Sequence, residues 1–424
     1  MKDIFKSLLA FLGFVLCFTS CERDTPHLTI GLQGNYYMYR MQTNRFVPGY
    51  TGDAYRWLLI LPDGTDSLLS TEHTYCFLPK DEGVYNIRFQ IIDSKNPYTH
   101  DMQVTVMHEL VEYSPYISRV LEYRPAPGQF VNEMPLCEEG DTEETMRRKV
   151  EDNISGRNNV MITLGGFGGY VTFGFDHTVM NVKGEKDFLI LGNAFYELTD
   201  PDNPGGSSEP GIVMVAFDKN QNGVPDDDEW YELAGSEYYK PETTKNYEIT
   251  YFRPDKDKTP IPDETGNITD QTYIKWTDNY GDDGYIQKIR YNKQDYFPKW
   301  ISGDKLTFRG TKLKDNGVDQ SGYGAYWVLY AYGWGYADNR TNNETDLISF
   351  DIDWAVDSDG NKVHLPGIDF VRVYTAVNQT CGWIGETSTE ILGARDLHIY
   401  APGDTLPEID YQLKKKVNRK YKQF

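Results

Sequence analysis

Short segments of alternating apolar and polar residues dominate the first quarter of the chain. The segments 55–60, 74–77 and 85–91 follow the two-residue period of a half-buried strand. Residues 62–64, Pro-Asp-Gly, form a typical turn between the first two segments. The pattern therefore predicts a small β-sandwich over residues 27–113.

The strand pattern returns at Val160 and continues to about Leu392. Its length and spacing predict one large β-sandwich of the jelly-roll type over residues 117–412. The proline-containing, charged segment 254–271 is either a boundary between two domains or an excursion from one domain. The expected fold class is mostly β, with an N-terminal Ig/PKD-like sandwich followed by this larger one.

One short helix is expected before these strands. Asp141, followed three residues later by Glu144, has the spacing of a capping box. Met146, Val150 and Ile154 recur every four residues and so share one face of a helix. The sequence predicts a helix that starts near Asp141 and buries this apolar face.

The first residues have the features of a bacterial lipoprotein signal. Two lysines precede the apolar run 8–16, which gives way to small residues and then Cys21. The run is shorter than the ~20 residues that span a bilayer. We expect residues 1–20 to be removed, Cys21 to carry lipid and residues 21–26 to act as a tether. The alternatives are an uncleaved anchor and an ordinary signal peptide with a coincidental cysteine.

The residues after this cysteine suggest a destination. Glu22 and Asp24, separated by Arg23, resemble signals that send lipoproteins to the outer cell surface in some bacteria with two membranes. We therefore expect a protein of the outer membrane that faces the cell exterior and touches the membrane through its lipid alone.

The charge balance restricts the partners. The chain has 42 basic and 64 acidic residues, a formal charge of −22. A surface this acidic repels the phosphates of DNA and RNA, so nucleic acid is not expected as a partner. Residues 413–424 form a basic tail, read either as a disordered end or as a functional patch.

Cysteine usage adds little. Once Cys17 leaves with the signal and Cys21 is lipidated, Cys76, Cys137 and Cys381 remain. The absence of a C-x-x-C pair argues against zinc or redox chemistry, so buried structural thiols are expected.

Residues 218–229 match the D-x-[DN]-x-[DN]-G-x5-E pattern of a calcium loop at every required position. Calcium takes six to eight oxygen ligands, and this spacing supplies them from side chains and one backbone carbonyl. The flanking sequences read as strands, so we expect a structural Ca²⁺ in a hairpin loop rather than an EF-hand; the alternative is an acidic hairpin that binds nothing. The expected ligands are Asp218, Asn220, Asn222, the carbonyl of Val224, Asp226 and Glu229.

Residues 326–336 concentrate aromatic side chains at even positions. In an extended chain these positions share one side, with small residues at several odd positions. Such a strip is either sandwich core or a platform on which sugars or planar macrocycles stack. The expected ligand-binding residues are Tyr330, Tyr332, Trp334, Tyr336 and Trp383.

No catalytic motif stands out. The seven histidines are scattered, without H-E-x-x-H, and no G-x-S-x-G occurs. The glycine-rich segment 165–169 lacks the order of a phosphate loop and is expected to be a turn between strands. We therefore expect no catalytic residues and a protein that is not an enzyme.

Two resemblances add to this interpretation. Trp57, Phe77 and Tyr85 with their turns resemble PKD and immunoglobulin-like modules, which implies that Trp57 and Tyr85 are core residues of a spacer domain. Residues 117–392 resemble surface lipoproteins of gut anaerobes that carry a PKD-like domain before a jelly-roll domain. The segments that carry this second resemblance are LEYRPAPGQF (121–130), LGNAF (191–195), SEPG (208–211), WYELAGSEY (230–238), GWGYADN (333–339), IDFVRV (368–373) and GETSTE (385–390).

The resemblance implies an association with corrinoid uptake. The leading hypothesis is a non-catalytic surface lipoprotein that captures a corrinoid such as vitamin B12 and passes it to a TonB-dependent outer-membrane transporter. The alternatives are a carbohydrate-binding jelly roll and a glycan-active enzyme with an unrecognised site. Aromatic platforms serve corrinoids and glycans alike, so the sequence does not separate the first two.

Overall fold

The computed structural model describes residues 30–399, except 94, 96, 199 and 201. The predicted signal peptide, the tether with Cys21 and the basic tail lie outside these residues. The described chain is mostly β, as the sequence predicts, and it divides into two compact units. Of the described residues, the first unit contains 30–38, 44–77 and 83–107, and the second contains 39–43, 78–82 and 108–399.

The first unit is a small antiparallel sandwich. Its five-stranded sheet has the order β1-β7-β6-β3-β4, and β2 pairs with β5 in a second sheet. The strands are β1 (Asn35–Tyr39), β2 (Asn44–Phe46), β3 (Ala54–Ile60), β4 (Asp66–Ser70), β5 (Tyr75–Phe77), β6 (Gly83–Ile92) and β7 (Tyr98–Met107).

The two sheets of this unit share an aromatic core. Phe46 of the small sheet stacks on Trp57 of the large one with ring centroids 5.9 Å apart, and Phe77 lies beside it. Trp57 is fully buried, and Tyr85 packs at the edge of the same core. The three strands predicted from alternation and the core role of Trp57 are therefore confirmed.

The second unit contains the remaining strands and one α-helix in the described chain. The strands are β8 (Arg119–Arg124), β9 (Ile162–Thr163), β10 (Tyr170–Met180), β11 (Phe188–Leu191), β12 (Phe195–Leu198), β13 (Gly205–Ser207), β14 (Gly211–Ala216), β15 (Trp230–Leu233), β16 (Thr244–Phe252), β17 (Ile268–Asp278), β18 (Asp283–Ile289), β19 (Lys305–Lys312), β20 (Gly317–Asp319), β21 (Trp327–Tyr330), β22 (Ser349–Phe350), β23 (Ala355–Val356), β24 (Gly367–Thr375), β25 (Glu390–Ile391) and β26 (Gly393–Asp396). Short 3₁₀ turns lie at Asp227–Glu229, Ile352–Trp354 and Gly382–Ile384.

Two sheets form the body of this unit. One has six strands in the order β23-β15-β14-β24-β10-β8, and the other has four in the order β18-β17-β16-β19. Tyr374 on β24 accepts a hydrogen bond from the backbone N–H of Thr311 on β19, and Tyr170 on β10 meets Phe308 on β19 edge to face. These contacts place the two sheets face to face, as in a β-sandwich.

The helix α1 (Glu143–Ile154) buries the predicted face, since Met146, Val150 and Ile154 are all inaccessible to solvent. Its start differs from the prediction. Thr142 is the N-cap and forms a capping box with Thr145. Asp141 lies one residue earlier, and its carboxylate accepts a hydrogen bond from the Thr145 hydroxyl instead.

Two further segments have a structure that the sequence analysis offered for them. Residues 254–271 leave the sheet after β16 and return into its neighbour β17, so they are an excursion from one sheet. The glycine-rich segment 165–169 turns between β9 and β10, as expected. Within the described part of the chain, no helix combines the length and apolar character needed to cross a membrane.

Candidate functional site

The predicted calcium loop connects two paired strands. β14 and β15 are antiparallel neighbours, with Ala216 opposite Trp230, and residues 218–229 form the connection between them. The flanks are therefore strands, as predicted. Gly223 has a φ of +80°, a backbone conformation that glycine adopts without a Cβ clash.

Two carboxylates hold the ends of the loop together. Asp218 accepts hydrogen bonds from the backbone N–H groups of Asn222 at 3.0 Å and Gly223 at 2.7 Å. Glu229 accepts from the backbone N–H groups of Lys219 at 2.7 Å and Asp226 at 3.1 Å. Both side chains are largely buried, so the first and last predicted ligands are fixed before any ion binds.

The middle of the loop brings three more predicted ligands together. The amide groups of Asn220 and Asn222 both donate to the same oxygen of Asp226, at 2.6 and 2.9 Å. Val224 follows the turn and donates its N–H to the Asn222 side-chain oxygen at 2.9 Å. The two amide groups thus supply partial positive charge to Asp226.

Asp369 adds a carboxylate that the sequence does not reveal. It lies on β24, and it accepts hydrogen bonds from the backbone N–H of Asp218 at 2.8 Å and the hydroxyl of Thr178 at 2.6 Å. Burial and the neighbouring carboxylates Asp218 and Glu229 raise its pKa. No local spacing links it to the loop, because the pairing of β14 with β24 brings it there.

The predicted aromatic strip does not exist as one extended surface. Strand β21 ends at Tyr330, and the chain then turns, with Gly335 at a φ of +86°. The expectation of a continuous strand over residues 326–336 is wrong because this turn breaks the two-residue alternation. Gly335, one of the small residues at the odd positions, serves this turn.

Three of the predicted ligand-binding residues follow the end of β21. Tyr336 is 1% exposed, and its hydroxyl accepts a hydrogen bond from the backbone of Glu237. Tyr332 is half-buried and donates its hydroxyl to the backbone of Lys314. Trp334 is partly exposed and packs on Trp354 with centroids 4.4 Å apart. In this conformation Tyr336 offers no surface to a ligand.

The other two border a single loop. Residues 320–326 connect β20 to β21, and Tyr330 accepts a hydrogen bond from Gln320 at its start. Trp383 donates its indole N–H to the carbonyl of Ala325 in the same loop, at 3.1 Å. The structure therefore brings Tyr330 and Trp383 to the same loop.

Exposed aromatic rings surround this loop. Trp383 is 40% exposed and meets Tyr291, 59% exposed, edge to face with centroids 6.3 Å apart. Tyr323 and Tyr326, within the loop, are 82% and 37% exposed. We call this group the Trp383 surface: Tyr291, Tyr323, Tyr326 and Trp383.

A second acidic cluster lies within the same unit. Glu209, Asp338 and Glu390 each place a carboxylate oxygen within 4.8 Å of the other two. Asp338 accepts hydrogen bonds from the backbone N–H groups of Asn193, Ala194 and Glu390. Four of the segments that carry the family resemblance (191–195, 208–211, 333–339 and 385–390) meet here, and this is the signal by which sequence reasoning could have found the cluster.

Burial favours the protonated form of these acids. Burial and mutual repulsion raise the pKa of Asp338 and of Glu390 well above the ordinary range. Burial raises the pKa of Glu209 to about 7 and that of nearby Glu386 to about 8. Such a group can share protons between its oxygens or take up a cation.

Comparison with known proteins adds little. No protein-family model matches the chain, and no curated protein matches it. A solved structure of carbohydrate-binding modules from the β-sandwich superfamily, described for their promiscuous specificity, aligns at 11% identity over 85% of this chain and 93% of its own, with a TM-score of 0.15. A SusE-like protein aligns at 7% identity over 85% of this chain and 94% of its own, with a TM-score of 0.18. Similarity this low carries no argument, so function is inferred from the site geometry.

Proposed function

We propose that the protein is a non-catalytic lipoprotein of the outer membrane that binds a carbohydrate at the cell exterior through the Trp383 surface. The observation that carries this proposal is the grouping of four exposed aromatic rings around one loop. Delivery of the bound ligand to a TonB-dependent transporter remains part of the proposal, together with lipidation of Cys21.

The chemistry of the rings suits sugars. The C–H faces of a pyranose stack on Tyr and Trp rings, and the polar edges of those rings bond to its hydroxyls. The rings are also held in place, since Trp383 bonds to Ala325 and the neighbouring Trp327 donates its indole N–H to Gly324 at 3.2 Å. A fixed ring loses less conformational entropy when a ligand stacks on it.

The arrangement of the rings favours a glycan over a corrinoid. Tyr291 and Trp383 meet at an interplanar angle of 70°. They therefore offer two faces, each the size of one sugar ring, rather than one flat area for a macrocycle. The sequence led us to expect a corrinoid ligand, so the same titration experiment includes cyanocobalamin as well as glycans.

The test is calorimetric titration of the chain from residue 21 with a panel of oligosaccharides and with cyanocobalamin. We expect at least one oligosaccharide to bind, and Trp383→Ala to weaken that binding about five- to thirtyfold, because the loss of one stacking partner costs about 1–2 kcal/mol. Tyr239→Ala, which removes an exposed ring elsewhere in this unit, is the matched control and should bind normally. Binding of cyanocobalamin with no response to any glycan would overturn the proposal in favour of the corrinoid.

We further propose that the loop 218–229 holds a structural Ca²⁺. The donor set consists of oxygens, as calcium requires, and Asp369 extends it beyond the sequence pattern. Asp218 and Glu229 are already fixed by backbone hydrogen bonds, so the ion would stabilise the hairpin rather than take part in chemistry.

A further inference from the structure

A cavity of about 840 Å³ lies in the second unit, among the 254–271 excursion, strands β17 and β18, and the segment after β18. This volume is within the range of small-molecule sites in proteins. Seven of its lining residues are basic and three are acidic, in a chain whose formal charge is −22. The cavity is therefore a local reversal of the protein's charge.

Most of these cations have no acidic partner. Lys258 pairs with Asp270 at 3.4 Å and Lys299 with Asp295 at 3.9 Å. Within the described part of the chain, salt bridges to the other basic lining residues are absent. These unpaired cations are Arg253, Lys256, Lys288, Arg290 and Lys293.

Lys288 illustrates the electrostatic imbalance. Its ammonium group lies 4.5 Å from the centroid of the Tyr273 ring. Burial lowers its pKa, and the attraction of Asp295 and Asp270 only partly opposes this effect. An anion in the cavity would supply the counter-charge that the protein does not.

One wall of the cavity is rigid. Arg253 donates hydrogen bonds to the carbonyls of Gly303 at 2.9 Å and Ile301 at 2.6 Å, and it stacks on Phe297 at 4.1 Å. Its guanidinium is therefore held by the backbone on one side and an aromatic ring on the other. The wall keeps its positive charge in a fixed position.

The cavity and the Trp383 surface meet at one corner. Arg290 lines the cavity and lies 4.9 Å from the centroid of the Tyr291 ring. Tyr291 in turn contacts Trp383. A chain of sugars that stacks on these rings would reach the cationic side chains with its next residue or two.

We propose that the cavity binds the carboxylate or sulfate groups of an acidic polysaccharide whose neighbouring sugars stack on the Trp383 surface. This inference rests on the proposed carbohydrate-binding function and narrows it to anionic glycans. Lys288, Arg290 and Lys293 supply the positive charge, and the aromatic rings supply the stacking. A uronate and a sulfated sugar present the same negative charge, and the experiment separates them.

The experiment compares three oligosaccharides of equal length: an oligogalacturonate, a carrageenan fragment, which carries sulfate but no uronate, and a neutral malto-oligosaccharide. We expect one of the acidic probes to bind at least tenfold more tightly than the neutral one. The double variant Lys288→Gln/Lys293→Gln should lose that preference, because it removes two cations that lack partners. Lys362→Gln removes an exposed cation that does not line the cavity and is the matched control.

The outcomes separate this inference from the proposed function. If Trp383→Ala abolishes all glycan binding while the double variant binds acidic and neutral probes as the wild type does, the cavity inference is wrong and the proposed function stands. If the double variant loses the acidic probe but Trp383→Ala changes nothing, the cavity is an anion site and the stacking surface is wrong. Unchanged melting of the double variant shows that lost binding is not lost folding.

Discussion

Glu386 is a carboxylic acid enclosed by protein. Its only described hydrogen-bond donor is the backbone N–H of Gln129, and one of its oxygens is without a partner. Burial raises its pKa to about 8, and repulsion from Glu209 acts in the same direction. The folded state therefore holds a proton that the unfolded chain releases near its ordinary pKa of about 4.5.

This proton gives a dependence of stability on pH. Because the folded pKa is the higher one, the contribution of Glu386 to stability is complete below pH 4.5 and is lost as the pH rises through 8. Glu386→Gln should keep the hydrogen bond and remove the ionisation, and so raise the free energy of unfolding at pH 9 by about 1 kcal/mol or more. Melting curves from pH 5 to 9 measure this, with exposed Glu242→Gln as the control. A variant with the same pH dependence as the wild type would contradict the assignment.

A candidate site can be predicted at the residue level where a local spacing defines it. The proposed calcium ligands Asp218 and Glu229 lie in one continuous stretch, so counting positions finds the loop, and calcium binding there stays a prediction. Asp369 and the acids of the second cluster are brought together by strand pairing between distant segments. No spacing along the chain records these contacts. For the second cluster alone, the segments that carry the resemblance give a signal, because four of them meet there.

At the scale of elements, the hairpin β14–β15 depends on its loop. The carboxylates of Asp218, Asp226 and Glu229 lie within twelve residues, and Asp369 lies against them. A bound cation would offset their repulsion. A cation that binds only the folded state raises the free energy of unfolding by about 2.7 kcal/mol when its concentration is a hundredfold above Kd. Chelation should therefore lower the melting temperature, and calcium should restore it.

Asp218→Ala should make the melting temperature nearly independent of EDTA, because it removes the first ligand of the loop and two backbone hydrogen bonds. Asp359→Ala, an exposed aspartate in another turn, is the control and should keep the response to EDTA. Equal melting of the wild type in calcium and in EDTA, measured by differential scanning calorimetry, would show that the loop holds no structural calcium.

The start of helix α1 gives a second test at this scale. Thr142 accepts a hydrogen bond from the Thr145 N–H at 3.2 Å, so Thr142→Ala should cost about 1 kcal/mol. Hydrogen exchange of the first-turn amides should accelerate accordingly. Unchanged exchange in Thr142→Ala would return the N-cap to Asp141, where the sequence spacing placed it.

Elements were predictable where periodicity continued and were not where a turn interrupted it. The apolar spacing of Met146, Val150 and Ile154 identified the buried face of the helix. The alternation after Tyr330 predicted a strand, but the turn at Gly335 ends that pattern. Aromatic residues and glycines occur both in an extended strip and in a turn, so composition alone does not distinguish between these two structures.

At the scale of the whole molecule, overall charge and cavity charge have opposite signs. Self-repulsion of an acidic chain is screened by salt, so the melting temperature should rise between about 20 and 300 mM NaCl. The same screening weakens the attraction between the basic cavity and an acidic glycan. The affinity for the acidic oligosaccharide should therefore fall several-fold over this range of salt concentration, while the affinity for the neutral oligosaccharide should change little. Melting curves and calorimetric titrations in the same buffers measure the melting temperature and the affinity. An affinity for the acidic oligosaccharide that does not change with salt would argue against binding in the basic cavity.

The class of the whole fold followed from the pattern of alternation, because short alternating segments separated by turn residues favour strands. The order of the strands in the sheets could not be predicted from the sequence pattern. The six-stranded sheet places β8, β10, β24, β14 and β15 side by side from widely separated parts of the chain. The basic cavity is equally non-local, since its net charge emerges only when the excursion folds beside β17 and β18.

Because Trp383 is exposed, the intrinsic tryptophan fluorescence of the protein can report ligand binding. Of the eight tryptophans, only Trp334 and Trp383 are more than a third exposed, and both lie in the described chain. Acrylamide quenches the emission of indoles that it can reach, so these two should account for most of the quenchable fluorescence. A sugar stacked on Trp383 would shield that ring and leave Trp334 accessible, so about half of the quenching would disappear on saturation. Occupancy of the site can thus be followed without a label.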